Sequence, residues 1–266
     1  MGIFDSSATR VAPVFDQLLA RDPSGAYWLN ALLRLPLGRG GDASAAALGE
    51  PHLIHHAWGK PEKKLAAPRA LLEWLVRNVE APADLTQLGT GATRKQRERL
   101  LARDPEAIAE ALRAVERGEE RGWAILEGPT FPDVYLETKE ALIVVEGKRT
   151  EPGLTTHTTW MPARHQMLRH IDAAWDRRGE RRVLGLLIVE GDGGAEGVAV
   201  PARWVDAVRA TVSEEALKGS LPHRSAQERQ AISDAFLGVT TWQAVCLELG
   251  IAWGALPDRV GATADG

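Results

Sequence analysis

The stretch FPDVYLETKEALIVVEGKRTEPG, residues 131–153, carries three side chains whose types and spacing suit chemistry on a phosphate: Asp133, Glu146 and Lys148. Side chains alternate along an extended strand, so Glu146 and Lys148 share one face, with Cα atoms roughly 6.5 Å apart. Ile143, Val145 and Gly147 face the other way. A hairpin partner strand can bring Asp133 beside the pair. Two carboxylates with the Gly147 carbonyl nearby make a hard oxygen site of the kind that takes Mg²⁺, with Mn²⁺ as a substitute. An ion there lowers the pKa of a bound water and polarises a phosphoryl oxygen, while Lys148 orients the water or steadies phosphate charge. The same residues also fit a plainer arrangement, a strand-end ion pair on a solvated rim that contributes little.

The elements that must position these residues follow from periodicity and turn signals. DVYLET (133–138) and ALIVVEGKR (141–149) read as two strands joined at Lys139-Glu140, and GWAILEG (122–128) as a short strand before them. EAIAEALRAVERG is an amphipathic helix closed by Gly118. MPARHQMLRHIDAAWDRRG reads as a helix running from Pro162 to Gly179, RRVLGLLIVEG as a buried central strand, and PARWVDAVRATVSEEALKG as a further helix. Residues 1–103 read as a mainly helical, loop-rich region. It includes AAPRALLEWLVRNV, with one apolar face, and the basic helix TRKQRERLLARDP. Residues 220–266 read as a helical extension, with Gly238 in a turn between two helices.

Pro132-Asp133 and Glu146-Gly147-Lys148, with twelve residues between the Asp and the Glu, resemble the motif of the PD-(D/E)xK nuclease superfamily. The predicted order of helix, three strands, helix and strand over 104–219 is similar to that family's core. The resemblance implies an α/β, restriction-endonuclease-like fold: a mixed four-stranded sheet flanked by helices, with the 1–103 region before it and the C-terminal helices after it. It implies that Asp133 and Glu146 ligate Mg²⁺, that Lys148 is the catalytic lysine, and that a polar residue on the following helix, here Gln166, reaches the site. The implied activity is hydrolysis of phosphodiester bonds in nucleic acid, DNA first. The alternative is a non-catalytic nucleic-acid-binding or interaction protein on the same fold.

Other residues join as secondary candidates. Glu127 ends the preceding strand and offers a third carboxylate to the metal. Arg149, Arg164 and Arg169, with His157 in the hydroxyl-rich TTHTTW loop, are candidates for contact with phosphate and base. The run Arg94, Lys95, Arg97, Arg99 presents a broad basic surface. The net charge is −4, so positive charge has to be gathered locally if a nucleic acid binds. His52, His55 and His56 lie close in sequence but lack a further zinc ligand at suitable spacing. GDGGAEG (191–197) follows a strand but lacks the order of a phosphate loop, and reads as a turn. A single cysteine, Cys246, and the absence of a long apolar run point to a reducing, cytoplasmic setting. Oligomeric state stays open, a homodimer being compatible.

Overall fold

A computed structural model describes residues 5–37, 47–151, 153 and 158–260. After a π-helical turn at Ser7–Val11 come α1 (Ala12–Arg21), α2 (Leu29–Arg34) and β1 (Leu53–Trp58). A helical insertion follows with α3 (Arg69–Asn78), α4 (Gly91–Leu101) and α5 (Pro105–Glu116). The chain then forms β2 (Val134–Thr138), β3 (Ala141–Gly147), α6 (Gln166–Trp175), β4 (Arg182–Val189), α7 (Ala202–Thr211), α8 (Glu214–Ser220), α9 (Ala226–Ala235), β5 (Phe236–Thr241) and α10 (Trp242–Glu248).

The sheet is mixed and five-stranded, in the order β1-β2-β3-β4-β5. The β1/β2 and β2/β3 pairs are antiparallel, and β3/β4 and β4/β5 are parallel. The hairpin around Lys139-Glu140 forms as expected, and its turn is fixed by Thr138, whose Oγ1 accepts the amides of Glu140 and Ala141. The parallel β3/β4 pair needs a crossover, which α6 supplies.

Helices cover both faces, as a sheet with parallel strands requires. One face packs Ile143, Val145, Leu186 and Ile188 against Phe15 of α1, Leu29 of α2 and Trp242 of α10. The other packs Leu142, Val144, Leu187 and Val189 against Met167 and Ile171 of α6, Trp204 of α7 and Ile232 of α9. This alternation carries Glu146 and Lys148 onto the α6 face and Gly147 onto the α10 face. The insertion has its own cluster, in which Leu71 and Leu75 of α3 meet Ala111 and Val115 of α5, with Leu126 and Met161 completing it.

Three expectations about elements are corrected. Residues 122–128 form no strand. The three-strand meander is completed instead by β1, a short edge strand drawn from HLIHHAW. His55 and His56, adjacent on that strand, serve separately: His55 lies by Lys63 and Tyr135, and His56 stacks on Trp58. Residues 236–241, expected to be a helix and turn, are β5. Gly238 has a φ of +120°, and a Cβ there would stand 2.3 Å from the Leu37 carbonyl oxygen, so this glycine lets residue 37 bridge the sheet edge. The helix expected over 201–219 is two, α7 and α8, because Ser213 caps a fresh start by accepting the Ala216 amide. The sheet therefore draws strands from outside the expected 104–219 core, and four strands become five.

Candidate active site

The site is built where β2 begins and β3 ends. Val134 pairs with Val145, so one step further along the ladder Asp133 stands across from Glu146. Asp133 Oδ2 accepts the Gly147 amide at 2.8 Å, which clamps the two strands at that point. The Lys148 main chain extends the parallel ladder: its amide donates to the Ile188 carbonyl, and its carbonyl accepts from Glu190. Both halves of the expected constellation therefore rest on backbone that the sheet holds.

Gly147 is required by packing. A Cβ there would meet Trp242 at 2.8 Å and Val11 at 2.9 Å, both buried in the core. Gly147→Ala is expected to lose about 1–3 kcal/mol of stability through overpacking, read as a shift in the denaturant midpoint. An unchanged midpoint would show that Trp242 can yield.

On the α6 face, five side chains form one hydrogen-bonded set. Lys148 Nζ donates to Glu146 Oε1 at 2.8 Å and to Gln166 Oε1 at 3.1 Å, and Gln166 Nε2 donates to the same Glu146 oxygen at 2.7 Å. The other carboxylate oxygen, Glu146 Oε2, lies 3.0 Å from His170 Nε2, and His170 Nδ1 lies 2.7 Å from Thr130 Oγ1. Gln166 and His170 sit one turn apart on α6, so both reach one carboxylate. His165 caps the helix by accepting the Met167 amide. His170 and Thr130 escaped the sequence reading. The signal available was the four-residue spacing from Gln166.

Electrostatics set the two carboxyls apart. Burial raises the Asp133 pKa to about 8, and the Glu146 charge adds to this against the opposing pull of the Gly147 amide and Lys148. For Glu146 burial also pushes upward, but the hydrogen bond and charge of His170, with Lys148, outweigh it and hold the carboxylate below its usual range. Burial works against the Lys148 ammonium, yet the adjacent Glu146 keeps its pKa raised. Glu62, beyond β1, is pushed up by burial and then by Glu146 and Asp5. The Glu146 charge thus acts on both Asp133 and Glu62.

The secondary candidates lie elsewhere or are already engaged. Glu127, expected as a metal ligand, is gripped by Arg164 and Arg169 through one oxygen, at 2.9 and 3.1 Å. Arg164, expected to meet nucleic acid, is only 1% exposed and joins Glu127 to Asp172 and the Ser220 carbonyl inside the protein. Its role is to hold α6 against the insertion and α8. Arg149 bonds Glu190 and Asp258. Arg169 is partly exposed and reaches the Gly128 and Pro129 carbonyls. His157 lies outside the described residues. The basic run spends much of its charge locally: Arg94 pairs with Glu98, and Arg99 with Asp104 and Glu106. The Gly147 carbonyl, offered as a ligand, accepts the Ser6 hydroxyl at 3.1 Å.

Among the described residues no group of three or more His, Cys, Asp or Glu side chains is arranged to hold a metal ion. Nor is any described helix long and apolar enough to cross a membrane. No protein-family model matches the chain, and no curated protein or solved structure matches it.

Proposed function

We propose that the chain is a Mg²⁺-dependent nuclease that hydrolyses DNA phosphodiester bonds, on a sheet of the restriction-endonuclease-like kind. The observation that carries this reading is the meeting of Glu146, Lys148 and Gln166 within 2.7–3.1 Å, with Asp133 clamped across from them by the Gly147 amide. The arrangement of two antiparallel pairs followed by a helical crossover to a parallel strand also supports it.

The residues present suit Mg²⁺. A carboxyl whose pKa is raised to about 8 beside a second carboxylate marks a place short of positive charge. Mg²⁺ binds through one or two carboxylates together with waters and phosphate oxygens, so it needs no closed protein cage. Asp133 and Glu146 would hold it, and Mn²⁺ suits the same donors. When bound, the ion supplies a water of lowered pKa and charge to balance the phosphate. Lys148 carries a fixed ammonium to the attacking water or a phosphate oxygen. Gln166 and His170 aim Glu146, leaving it one orientation.

Titration calorimetry tests this. Mg²⁺ and Ca²⁺ should both bind the parent protein, and Glu146→Gln should abolish the heat of both. Cleavage should follow Mg²⁺ or Mn²⁺ and not Ca²⁺, whose looser geometry positions water poorly. A parent that takes up no divalent cation at millimolar concentration would contradict the reading. One observation favours the alternative, a nucleic-acid-binding protein without catalysis: both Glu146 oxygens already have protein partners. That alternative predicts DNA binding with no cation uptake.

A further inference from the structure

Arg169 of α6 helps to line a recess of 330 Å³ with a polar lining, whose wall also includes Gln87, Arg97, Glu127, Thr159 and Trp160. Its size falls at the lower end of small-molecule sites, which run from about 300 to 1,000 Å³. Arg169 connects it to the chemistry, because its neighbours on α6, Gln166 and His170, both touch Glu146. The Glu127-Gly128 floor continues to Thr130, which bonds His170.

The charge in the recess is unusual. Arg97 is half-buried, and its guanidinium bonds the carbonyls of Gln87, Leu88 and Trp123. Among the described residues no carboxylate pairs with it, and burial alone lowers its pKa. A desolvated cation without a counter-charge favours an anion. Glu127 is already matched by two guanidiniums and so does little to cancel this. Arg97 also sits 5.4 Å from the centre of the Trp160 ring, so an aromatic surface and a cation stand together. Gln87 and Thr159 are exposed at the rim.

Phosphate on a guanidinium and a base on an aromatic or guanidinium plane together describe one unpaired nucleotide. A base inside a duplex keeps its faces stacked and has none to offer. We propose that this recess receives an unpaired nucleotide of the substrate strand, so that the preferred substrate is single-stranded, or carries a single-stranded end, next to the scissile bond. The proposal rests on the nuclease reading for the identity of the strand, but the recess can be tested apart from catalysis.

The experiment measures anisotropy of labelled oligothymidylate and of a duplex of equal length, in Ca²⁺, with Lys148→Ala as the uncleaving background. Trp160→Ala should weaken single-strand binding on the order of 10-fold, as the loss of one base–aromatic stack does, and leave duplex binding within about twofold. Trp160 also packs on the insertion, so Thr159→Glu serves as a second variant: Thr159 is exposed, and a carboxylate there should repel phosphate without disturbing the fold. Unchanged single-strand binding in both folded variants overturns the proposal, as does equal weakening for duplex and single strand. Mg²⁺-dependent cleavage by the unmodified chain would then still stand as support for the nuclease reading. Selective loss of single-strand binding, with no cleavage by the unmodified chain, would support the recess and overturn that reading.

Discussion

Lys148→Ala is expected to lower Mg²⁺-dependent cleavage of DNA by at least about 100-fold, the scale on which one positioned proton-transfer or charge-stabilising group acts. The structure makes this a clean test, because the fold uses the Lys148 backbone and the proposed chemistry its side chain. The ladder bonds from its amide to Ile188 and to its carbonyl from Glu190 survive in alanine. What disappears is an ammonium, 7% exposed, held between Glu146 and Gln166. Glu146 keeps His170 and Gln166, so the buried carboxylate is not left alone. Circular dichroism should therefore match the parent while product formation falls away. A variant that cuts as fast as the parent would place the chemistry elsewhere.

Asp133→Asn, by contrast, should raise stability at neutral and alkaline pH. The Asp133 carboxyl titrates near 8 in the folded protein and near 3.8 in the unfolded chain. Between those values the native state keeps a proton that the unfolded state has released. Stability from this group is therefore full below the unfolded pKa and is lost as pH rises from about 4 towards 8. Each unit of difference is worth about 1.4 kcal/mol, and partial exposure and coupling to Glu146 discount the total, leaving a cost of about 2–4 kcal/mol at pH 7 and above. Asparagine keeps an oxygen for the Gly147 amide and carries no charge. The metal-free variant should melt higher than the parent at pH 8, equal it near pH 4, and lose cation binding and cleavage. Parent and variant stabilities that run parallel from pH 4 to 8 would show that Asp133 is not confined as described. Gain of stability with loss of function is the expected trade where a site holds like charges together.

The contrast between what the sequence shows and what it hides has physical reasons. The β2–β3 hairpin was legible because strand periodicity and a short turn are local signals, and Asp133, Glu146 and Lys148 became legible with it. Gln166 came from the resemblance, which places a polar residue on the helix after the strand. His170 was hidden because a histidine on an amphipathic helix looks the same whether it faces solvent or a buried carboxylate. Thr130 was hidden because it comes from a loop. Arg164 was misread for a related reason. Sequence shows that it is charged, but only packing shows that Glu127 and Asp172 bury it. Burial raises the Asp172 pKa, yet His223, Arg164 and Arg224 outweigh it and hold this carboxyl well below its usual range, so the pairing is strongly charged.

The missing strands follow the same logic. β1 lacks the apolar-polar alternation of a strand, with His55 and His56 adjacent in it, and the helical insertion separates it in sequence from its partner β2. β5 contains a glycine that reads as a turn, and only its approach to Leu37 reveals the close contact that glycine permits. The GWAILEG stretch has the apolar content of a strand, but it spends that content on the cluster of the insertion, through Ala124 and Leu126.

The most direct test is the time course of product formation from end-labelled DNA, single-stranded and duplex, with the purified unmodified protein in Mg²⁺ and in excess chelator, beside Lys148→Ala. Cleavage by the unmodified protein is expected in Mg²⁺ alone, with none in chelator or from the variant. Cleavage that persists in chelator, or no cleavage of either DNA in Mg²⁺ or Mn²⁺, would contradict the nuclease reading.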